Sequence, residues 1–324
     1  DVELAMELGY TSLAVRSMFG TNNGIAGQVL VGYGTDEQKS TWLAPIASGD
    51  VVASFALTEP GAGSNPAGLR TKATRDGDGW IINGAKQYIT NAPTADLFIT
   101  FARTRPADAQ GAGIAVFLVP ADSSGVTVGA KDKKMGQEGA WTADVHFDAV
   151  RVPASALVGG SEDVGYKAAM MSLARGRVHI AALSVGTAQR ALDESVTWAA
   201  TATQGGTAIG EFQLVQAMLA DQQAGVMAGR ALVREAARAW VDEIAPRSVL
   251  DLYCGVGLFA GFLADAVGAE HVIGIEGDEA AVDHARDNVP GATFIAGDVA
   301  EQMRYLDATP RCQWQRCMRL TNIR

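Results

Sequence analysis

Two glycine-rich stretches, each following an apolar run, hold the residue types best suited to chemistry in this chain. The first is Phe55-Ala56-Leu57-Thr58-Glu59-Pro60-Gly61-Ala62-Gly63-Ser64. Val51 to Leu57 reads as a strand that Pro60-Gly61 ends. Such a strand end offers backbone groups and the hydroxyls of Thr58 and Ser64 to a bound ligand, and the glycines let the chain pass close to it. An ordinary Gly-rich turn is the plainer reading. The second stretch, Asp251 to Phe259, ends a strand and opens a helix. Its Gly255-Val256-Gly257 turn permits close backbone approach to a nucleoside ligand at the carboxyl edge of a sheet. Glu276 closes the next strand 19 residues beyond Gly257, where an acid can bind ribose hydroxyls. Asp298 follows a third strand. A lone Gly-x-Gly is a weak signal.

Other polar residues have plainer explanations. His146 falls in a strand and His179 in a helix, so packed or surface roles outweigh catalysis. Glu211 begins a helix, where its charge complements the dipole. Cys254, Cys312 and Cys317 are the three cysteines, an odd number with no disulfide framework. Cys312 and Cys317 lack a second ligand pair, so no metal is expected.

Composition sets the frame around these motifs. The 324 residues are 48% hydrophobic and 19% charged, which is globular and long enough for two or three cores. Net charge is -10, and a surface of that sign disfavours nucleic acid. No apolar run reaches membrane-spanning length. The first residues show no secretory pattern, so the expected setting is cytoplasmic. The charge is unevenly spread. Residues 1–241 carry a net -4, residues 242–303 a net -10 and residues 304–324 a net +4, which suggests segments of separate origin.

The elements that must position the motifs follow from periodicity. Residues 1–50 read as helices, with Thr35 and Gln38 forming a capping box for a helix through Trp42 and Leu43 that Gly49 stops. From 51 to 153 the period is two. Leu69–Arg75 and Trp80–Asn83 flank the hairpin turn Asp76-Gly77-Asp78-Gly79. Asp96–Arg103, Gly113–Pro120, Val126–Lys131 and Ala143–Val152 supply more strands, in a mainly antiparallel, barrel-like or sandwich domain. About 75 helical residues follow Val164. Phe212, Leu219, Val226, Val233 and Trp240 form an apolar seam for a helical bundle. After Pro246 the order is β-α-β-α-β, which requires a parallel sheet.

The first motif resembles the acyl-CoA dehydrogenase signature Thr-Glu-Pro-x-x-Gly-Ser-Asp. Trp80-Ile81-Ile82-Asn83-Gly84-x-Lys86-x-Tyr88-Ile89-Thr90-Asn91 resembles the family's second flavin-contacting stretch. Phe147-Asp148-x-Val150-Arg151-Val152-Pro153, Gly176-Arg177 and Gly186-Thr187-Ala188-Gln189-Arg190-Ala191-Leu192-Asp193 match its later landmarks in order and interval, as does Gly34-Thr35-x-Glu37-Gln38 before them. The resemblance covers residues 1–241. It implies that Phe55, Leu57, Thr58, Gly63, Ser64, Tyr88, Ile89 and Thr90 contact FAD, and that Ser64 and Arg177 bind the acyl-CoA substrate. It further implies an oxidoreductase acting on CH–CH groups, in which a carboxylate removes the α-proton while the β-hydride passes to the flavin. A homo-oligomer and an electron-transfer flavoprotein or similar acceptor come with it.

The sequence departs from that pattern in places. Asn65 replaces the usual Asp, and Ala202-Thr203-Gln204-Gly205-Gly206 stands where relatives carry Arg-x-x-Phe-Gly. No carboxylate flanks Gly176 or Arg177, and the later bundle helices that carry the commoner base are expected to be missing, as are the first N-terminal helices. The catalytic base is therefore unassigned, and turnover is in question.

The second motif resembles the S-adenosylmethionine site of class I methyltransferases, above all RNA uracil-5 methyltransferases, over residues 245–303. Tyr253, Gly255, Gly257, Glu276 and Asp298 would bind S-adenosylmethionine. No Asp-Pro-Pro segment or nucleophilic cysteine stretch follows, and Cys254 belongs to the binding motif. The expected whole is a multidomain α+β chain. A partial helical domain (1–50) and a β domain with the FAD and acyl-CoA site (51–153) lead into a partial helical bundle (154–241). A partial Rossmann-like unit (242–303) and a tail without family resemblance (304–324) complete it. A methyltransferase fragment, a flavoprotein without turnover and a non-functional gene fusion are the competing readings.

Overall fold

The first 50 residues show how local chemistry sets helix boundaries. In the computed structural model, which describes residues 2–106, 113–244, 249–252, 254, 256–298 and 301–302, they contain α1 (Val2–Thr11), α2 (Leu13–Phe19), a π-helical turn over Gly20–Ala26, α3 (Gly27–Tyr33) and α4 (Asp36–Ser48). The Thr35–Gln38 capping box forms in both directions, and Gly49 ends α4 in the left-handed region at φ 85°. Gln38 does more than cap. Its buried amide donates to the carbonyls of Ser155 at 2.8 Å and Leu157 at 2.9 Å and accepts from the Gly159 N–H.

The chain divides into two compact units, Ala5–Arg190 and the extreme N terminus with the residues from Ala191 onward. The first unit holds β1 (Ala53–Ala56), β2 (Lys72–Asp76), β3 (Gly79–Thr90), β4 (Leu97–Arg103), β5 (Ile114–Pro120), β6 (Val126–Val128) and β7 (Thr142–Val152). They form one sheet in the order β1-β4-β2-β3-β7-β6, with β5 on β4. Most pairings are antiparallel, as the alternating sequence predicts, but β1 runs parallel to β4. The loop over residues 57–71 starts β2 in the direction of β1, so β2 is also parallel to β4 and only β3 runs the other way. Asp76 pairs with Gly79 across the expected turn. The strand after it extends to Thr90, well past the apolar run ending at Asn83.

Two apolar clusters line the two faces of this sheet. One centres on Trp80, Ile82, Phe98, Phe117 and Phe147; the other joins Leu97, Ile99, Phe101 and Val116 to Val29, Leu30 and Ile46 of the helices. β4 is buried at every position, which explains why apolar residues fill both its faces around Thr100, where an alternating sequence would mark a solvated face.

α5 (Gly165–Thr201) passes from the first unit into the second. A short hairpin of β8 (Thr203–Gln204) and β9 (Thr207–Ala208) turns at Gly205-Gly206, both at positive φ, before α6 (Gln213–Ile244). The apolar seam of α6 is only partly covered. Val226 and Val233 are buried, Leu219 is half-buried and Phe212 is exposed, and outside the seam Leu214, Met218, Met227 and Leu232 are exposed as well. Beyond it lie β10 (Val249–Leu252), α7 (Leu258–Val267), β11 (Val272–Glu276), α8 (Glu279–Asn288) and β12 (Thr293–Ala296). These strands pair in parallel in the order β10-β11-β12, as the alternating β and α segments require. Residues 304–324, with Cys312 and Cys317, lie outside the described residues.

Thr35→Ala should lower unfolding free energy by about 1 kcal/mol, the usual worth of an N-cap. Gln38→Ala should cost roughly 2–3 kcal/mol, because it also strips partners from buried carbonyls; urea titration ranks the two, and equal losses would refute the second role. The chain should also bind a hydrophobic dye, and Leu214→Gln with Leu232→Gln should reduce that fluorescence.

Candidate functional site

The segment that follows β1 cannot form a regular strand, because Pro60 and the glycines interrupt it. Glu59 and Ala62 exchange backbone hydrogen bonds at 3.1 Å in each direction, making a tight turn. The Glu59 carboxylate points inward. It accepts from the Arg70 N–H at 2.5 Å, the Thr71 N–H at 2.9 Å and Lys86 Nζ at 2.8 Å, while Lys86 also donates to the Leu57 carbonyl at 3.1 Å. Lys86 is fully buried. Burial alone would raise the Glu59 carboxyl, but the Lys86 charge and these donors bring it below its ordinary value. Burial pulls the Lys86 ammonium down to about 8, with Glu59 opposing the shift.

Lys86 faces inward because β3 is irregular on both sides of it. The β3–β7 register slips between Ile82 and Gly84 and again between Lys86 and Ile89. At the first slip Gly84 has φ 155°, and a Cβ there would meet the Thr71 backbone at 2.7 Å. At the second, Tyr88 adopts φ 59°. That left-handed residue turns the Tyr88 ring out, 63% exposed, and returns Ile89 to the core at 2%. A tyrosine held in this conformation with its ring outside is strained and unburied, as binding-site residues often are.

The sequence-predicted flavin residues come together along these two segments. The Thr58 carbonyl accepts from the Gln87 N–H at 2.9 Å, and Ser54 Oγ donates to the Thr90 carbonyl at 2.9 Å. The end of β1 therefore runs beside the end of β3, and the sheet curls to allow it. Thr58 and Thr90 are half-buried, and Gly63 and Ser64 are exposed. Leu57 and Ile89 lie in the cores, so their backbones are what they can offer a ligand. Phe55 is half-buried with its ring 4.8 Å from Phe101. Ser64 lies beyond the Glu59–Ala62 turn, and Arg177 is exposed on α5.

The helices brace this edge through asparagines that sequence reasoning passed over. Asn91, left-handed at φ 66°, donates to the Met18 carbonyl at 3.1 Å. Asn22 Oδ1 accepts from the Ala53 N–H at 2.6 Å, while its amide donates to the Ile46 carbonyl. On α5, Gly176 lets Ile25 approach, since a Cβ would meet its Cδ1 at 3.3 Å. His179 is buried, and burial with the nearby Arg16 and Arg175 charges pushes it down to about 3. His146 is exposed on β7. The polar residues inside otherwise apolar segments, Glu59, Lys86 and Arg103, were the available signal. Arg103 donates from Nε to the Leu69 carbonyl at 3.2 Å and from Nη2 to the Ala67 carbonyl at 2.5 Å, fixing the loop that follows the signature.

Three family models match in sequence order: the acyl-CoA dehydrogenase N-terminal domain over residues 2–50, the middle domain over 54–150 and the C-terminal domain over 163–252. The chain belongs to the acyl-CoA dehydrogenase family. The human mitochondrial short-chain specific acyl-CoA dehydrogenase is 38% identical over 216 residues, 67% of this chain and 52% of the relative. This chain spans about half the length of the curated relatives it matches. A Bacillus anthracis acyl-CoA dehydrogenase complexed with FAD superposes with a TM-score of 0.69 at 31% identity, over 75% of this chain and 41% of that one. The glutaryl-CoA dehydrogenase of Mycobacterium smegmatis gives 0.69 at 28%, over 99% and 74%.

A methyltransferase domain model matches residues 249–319, reaching into the stretch expected to be a tail without resemblance. Within it, Gly257 is left-handed at φ 78°, and a Cβ there would touch Ala285 at 3.0 Å. The Glu276 carboxylate accepts from the Gly277 and Asp278 N–H groups, and Asp298 accepts from the Glu301 N–H. Cys254 is buried, which pushes its thiol up to about 12, against a nucleophilic role. Tyr253 and Gly255 lie outside the described residues.

Lys86→Met should cost about 3–5 kcal/mol by leaving a buried carboxylate uncompensated. Glu59→Gln with Lys86→Met should recover part of that loss, and a double variant no more stable than the single would refute the pairing. His179 gives a pH test. The unfolded chain protonates near pH 6.5 and the folded chain near 3, so stability falls with acid between those values by up to about 1.4 kcal/mol per unit. Urea midpoints at pH 7 and pH 4.5 should converge in His179→Gln.

Proposed function

We propose that residues 2–244 form the flavin and thioester site of an acyl-CoA dehydrogenase, with FAD as the cofactor. The observation that carries this reading is the alignment of the β1 and β3 ends, where Gln87 N–H meets the Thr58 carbonyl and Ser54 meets Thr90. The residues fit the group. A strand edge with outward hydroxyls and an exposed, backbone-strained Tyr88 suits one face of a flat ring system.

Phe55, Leu57, Thr58, Gly63, Ser64, Tyr88, Ile89 and Thr90 would hold FAD, Leu57 and Ile89 through their backbones. Ser64 and Arg177 would take the acyl-CoA, the latter as an exposed cation suited to the CoA phosphates. When bound, FAD supplies the acceptor for the hydride that leaves the β-carbon of the thioester. The protein's part is to orient the thioester and exclude water. Removing the α-proton needs a carboxylate, and α5 carries none between Gly165 and Leu192. The proposal therefore separates binding from turnover, and the latter needs a base from outside these residues. A homo-oligomer and an electron-transfer flavoprotein or similar acceptor belong to the same reading.

A second reading rests on the methyltransferase match and the parallel three-stranded sheet. Residues 249–298 would bind S-adenosylmethionine through Gly257, Glu276 and Asp298, with Tyr253 and Gly255, as a fragment of an RNA uracil-5 methyltransferase. The net -10 of residues 242–303 opposes RNA binding.

Purified protein mixed with FAD and desalted should keep an absorbance band near ~450 nm, the ordinary flavin range. Adding butyryl-CoA should perturb that band with little bleaching. Loss of all flavin on desalting would sink the proposal, and rapid bleaching would show that a base is present after all. S-adenosylmethionine titrated calorimetrically tests the second reading, which fails if no heat is seen.

A further inference from the structure

Lys86 holds an ammonium group where no water reaches it, with 0% of its side chain exposed. Pairing with Glu59 is only part of its role. That carboxylate already accepts from the Arg70 N–H at 2.5 Å and the Thr71 N–H at 2.9 Å, and buried ion pairs often exchange for apolar side chains at little net cost. The second bond of Lys86 is the informative one. Its Nζ donates to the Leu57 carbonyl at 3.1 Å, so that carbonyl is drawn toward the interior. The described residues contain no cis peptide. In a trans peptide the N–H points opposite to the C=O, and the Thr58 N–H is therefore turned away from Lys86.

The Thr58 N–H has no acceptor among the described residues. Backbone donors away from water are almost always paired, and a donor left open at a half-buried residue is one that a ligand can take. The Thr58 carbonyl accepts from the Gln87 N–H at 2.9 Å, which sets Thr58 beside the residue that precedes the outward Tyr88. The open donor thus lies at the proposed flavin edge. A flavin becomes richer in electrons on accepting a hydride, and its pyrimidine ring carries the added negative charge. A fixed N–H aimed at developing charge stabilises the reduced form more than the oxidised one.

We propose that Lys86 is a positioning residue for the flavin: by holding the Leu57 carbonyl inward, it presents the Thr58 N–H to the ring and raises the preference of the site for reduced cofactor. The assignment rests on the flavin–thioester reading above. Lys86, with none of its side chain exposed, acts through the peptide and not by contact. No other donor among the described residues holds the Leu57 carbonyl, so loss of the Lys86 bond frees that peptide to rotate. The bond from Gln87 to Thr58 belongs to the next peptide and does not fix it.

The test uses the FAD-loaded chain and reads the Thr58 amide by NMR-detected hydrogen exchange. In the wild type, FAD should slow exchange at Thr58 at least about tenfold. Two variants share Glu59→Gln, which keeps an acceptor for the Arg70 and Thr71 N–H groups. In the first, Lys86→Met cannot donate; in the second, Lys86→Gln has matched length and can. The Met form should lose the Thr58 protection while the Gln87 amide stays protected. Its flavin midpoint potential should fall by about 30 mV, a tenfold weaker preference for reduced flavin in a two-electron couple. The Gln form should regain most of both. Equal loss in the two forms assigns Lys86 to packing alone and overturns the inference, as does protection that survives in the Met form. A wild-type Thr58 amide left unprotected by retained FAD overturns it without either variant and leaves the flavin–thioester reading standing. Failure of the wild type to retain FAD overturns that reading itself.

Discussion

The contact between Glu59 and Lys86 takes a carboxylate and an ammonium group out of water together, and the geometry of the strand edge follows from it. The register slips of β3 on either side of Lys86 are what turn it inward to meet Glu59. The slip throws Tyr88 outward and returns Ile89 to the core. The same carboxylate accepts from the Arg70 and Thr71 N–H groups and so sets the path of the loop after the signature turn. One buried pair thereby coordinates β1, its following loop and β3. Such pairs contribute modestly to net stability, but they penalise every arrangement that separates the partners. A binding edge benefits from that penalty.

The helical layer of the first unit is fitted to this edge by side-chain amides. Asn22 satisfies the Ala53 N–H at the start of β1, Asn91 reaches from the end of β3 to the Met18 carbonyl of α2, and Gln38 satisfies two carbonyls in the loop following β7. Amides can donate and accept at once, which suits junctions where both kinds of backbone group are left over. The α2 helix that carries Arg16 is tied to the end of β3 by the Asn91 bond to Met18.

The segment from residue 249 obeys a different logic. Its strands pair in parallel with helices between them, and its charge is strongly negative. The acids expected to meet a nucleoside, Glu276 and Asp298, are engaged by N–H groups of the turns they begin. No helix among the described residues is long and apolar enough to cross a membrane.

Local signals alone determined much of this protein. The Thr35–Gln38 box, the Asp76–Gly79 turn, the Gly205-Gly206 break and the β-α-β-α-β order each depend on residues within a few positions of one another, where backbone preference and short hydrogen bonds suffice. The motifs around Thr58 and Tyr88 were legible as types and spacing. Tertiary structure decided what those residues do. Burial of Lys86 against Glu59, the outward turn of Tyr88 and the parallel placement of β1 on β4 join residues tens of positions apart. The isolation of Arg16 needed coordinates most of all. An arginine in a short helix looks like a solvated charge, and only packing against Gly20 and its surroundings removes its water, with no carboxylate salt-bridged to it among the described residues.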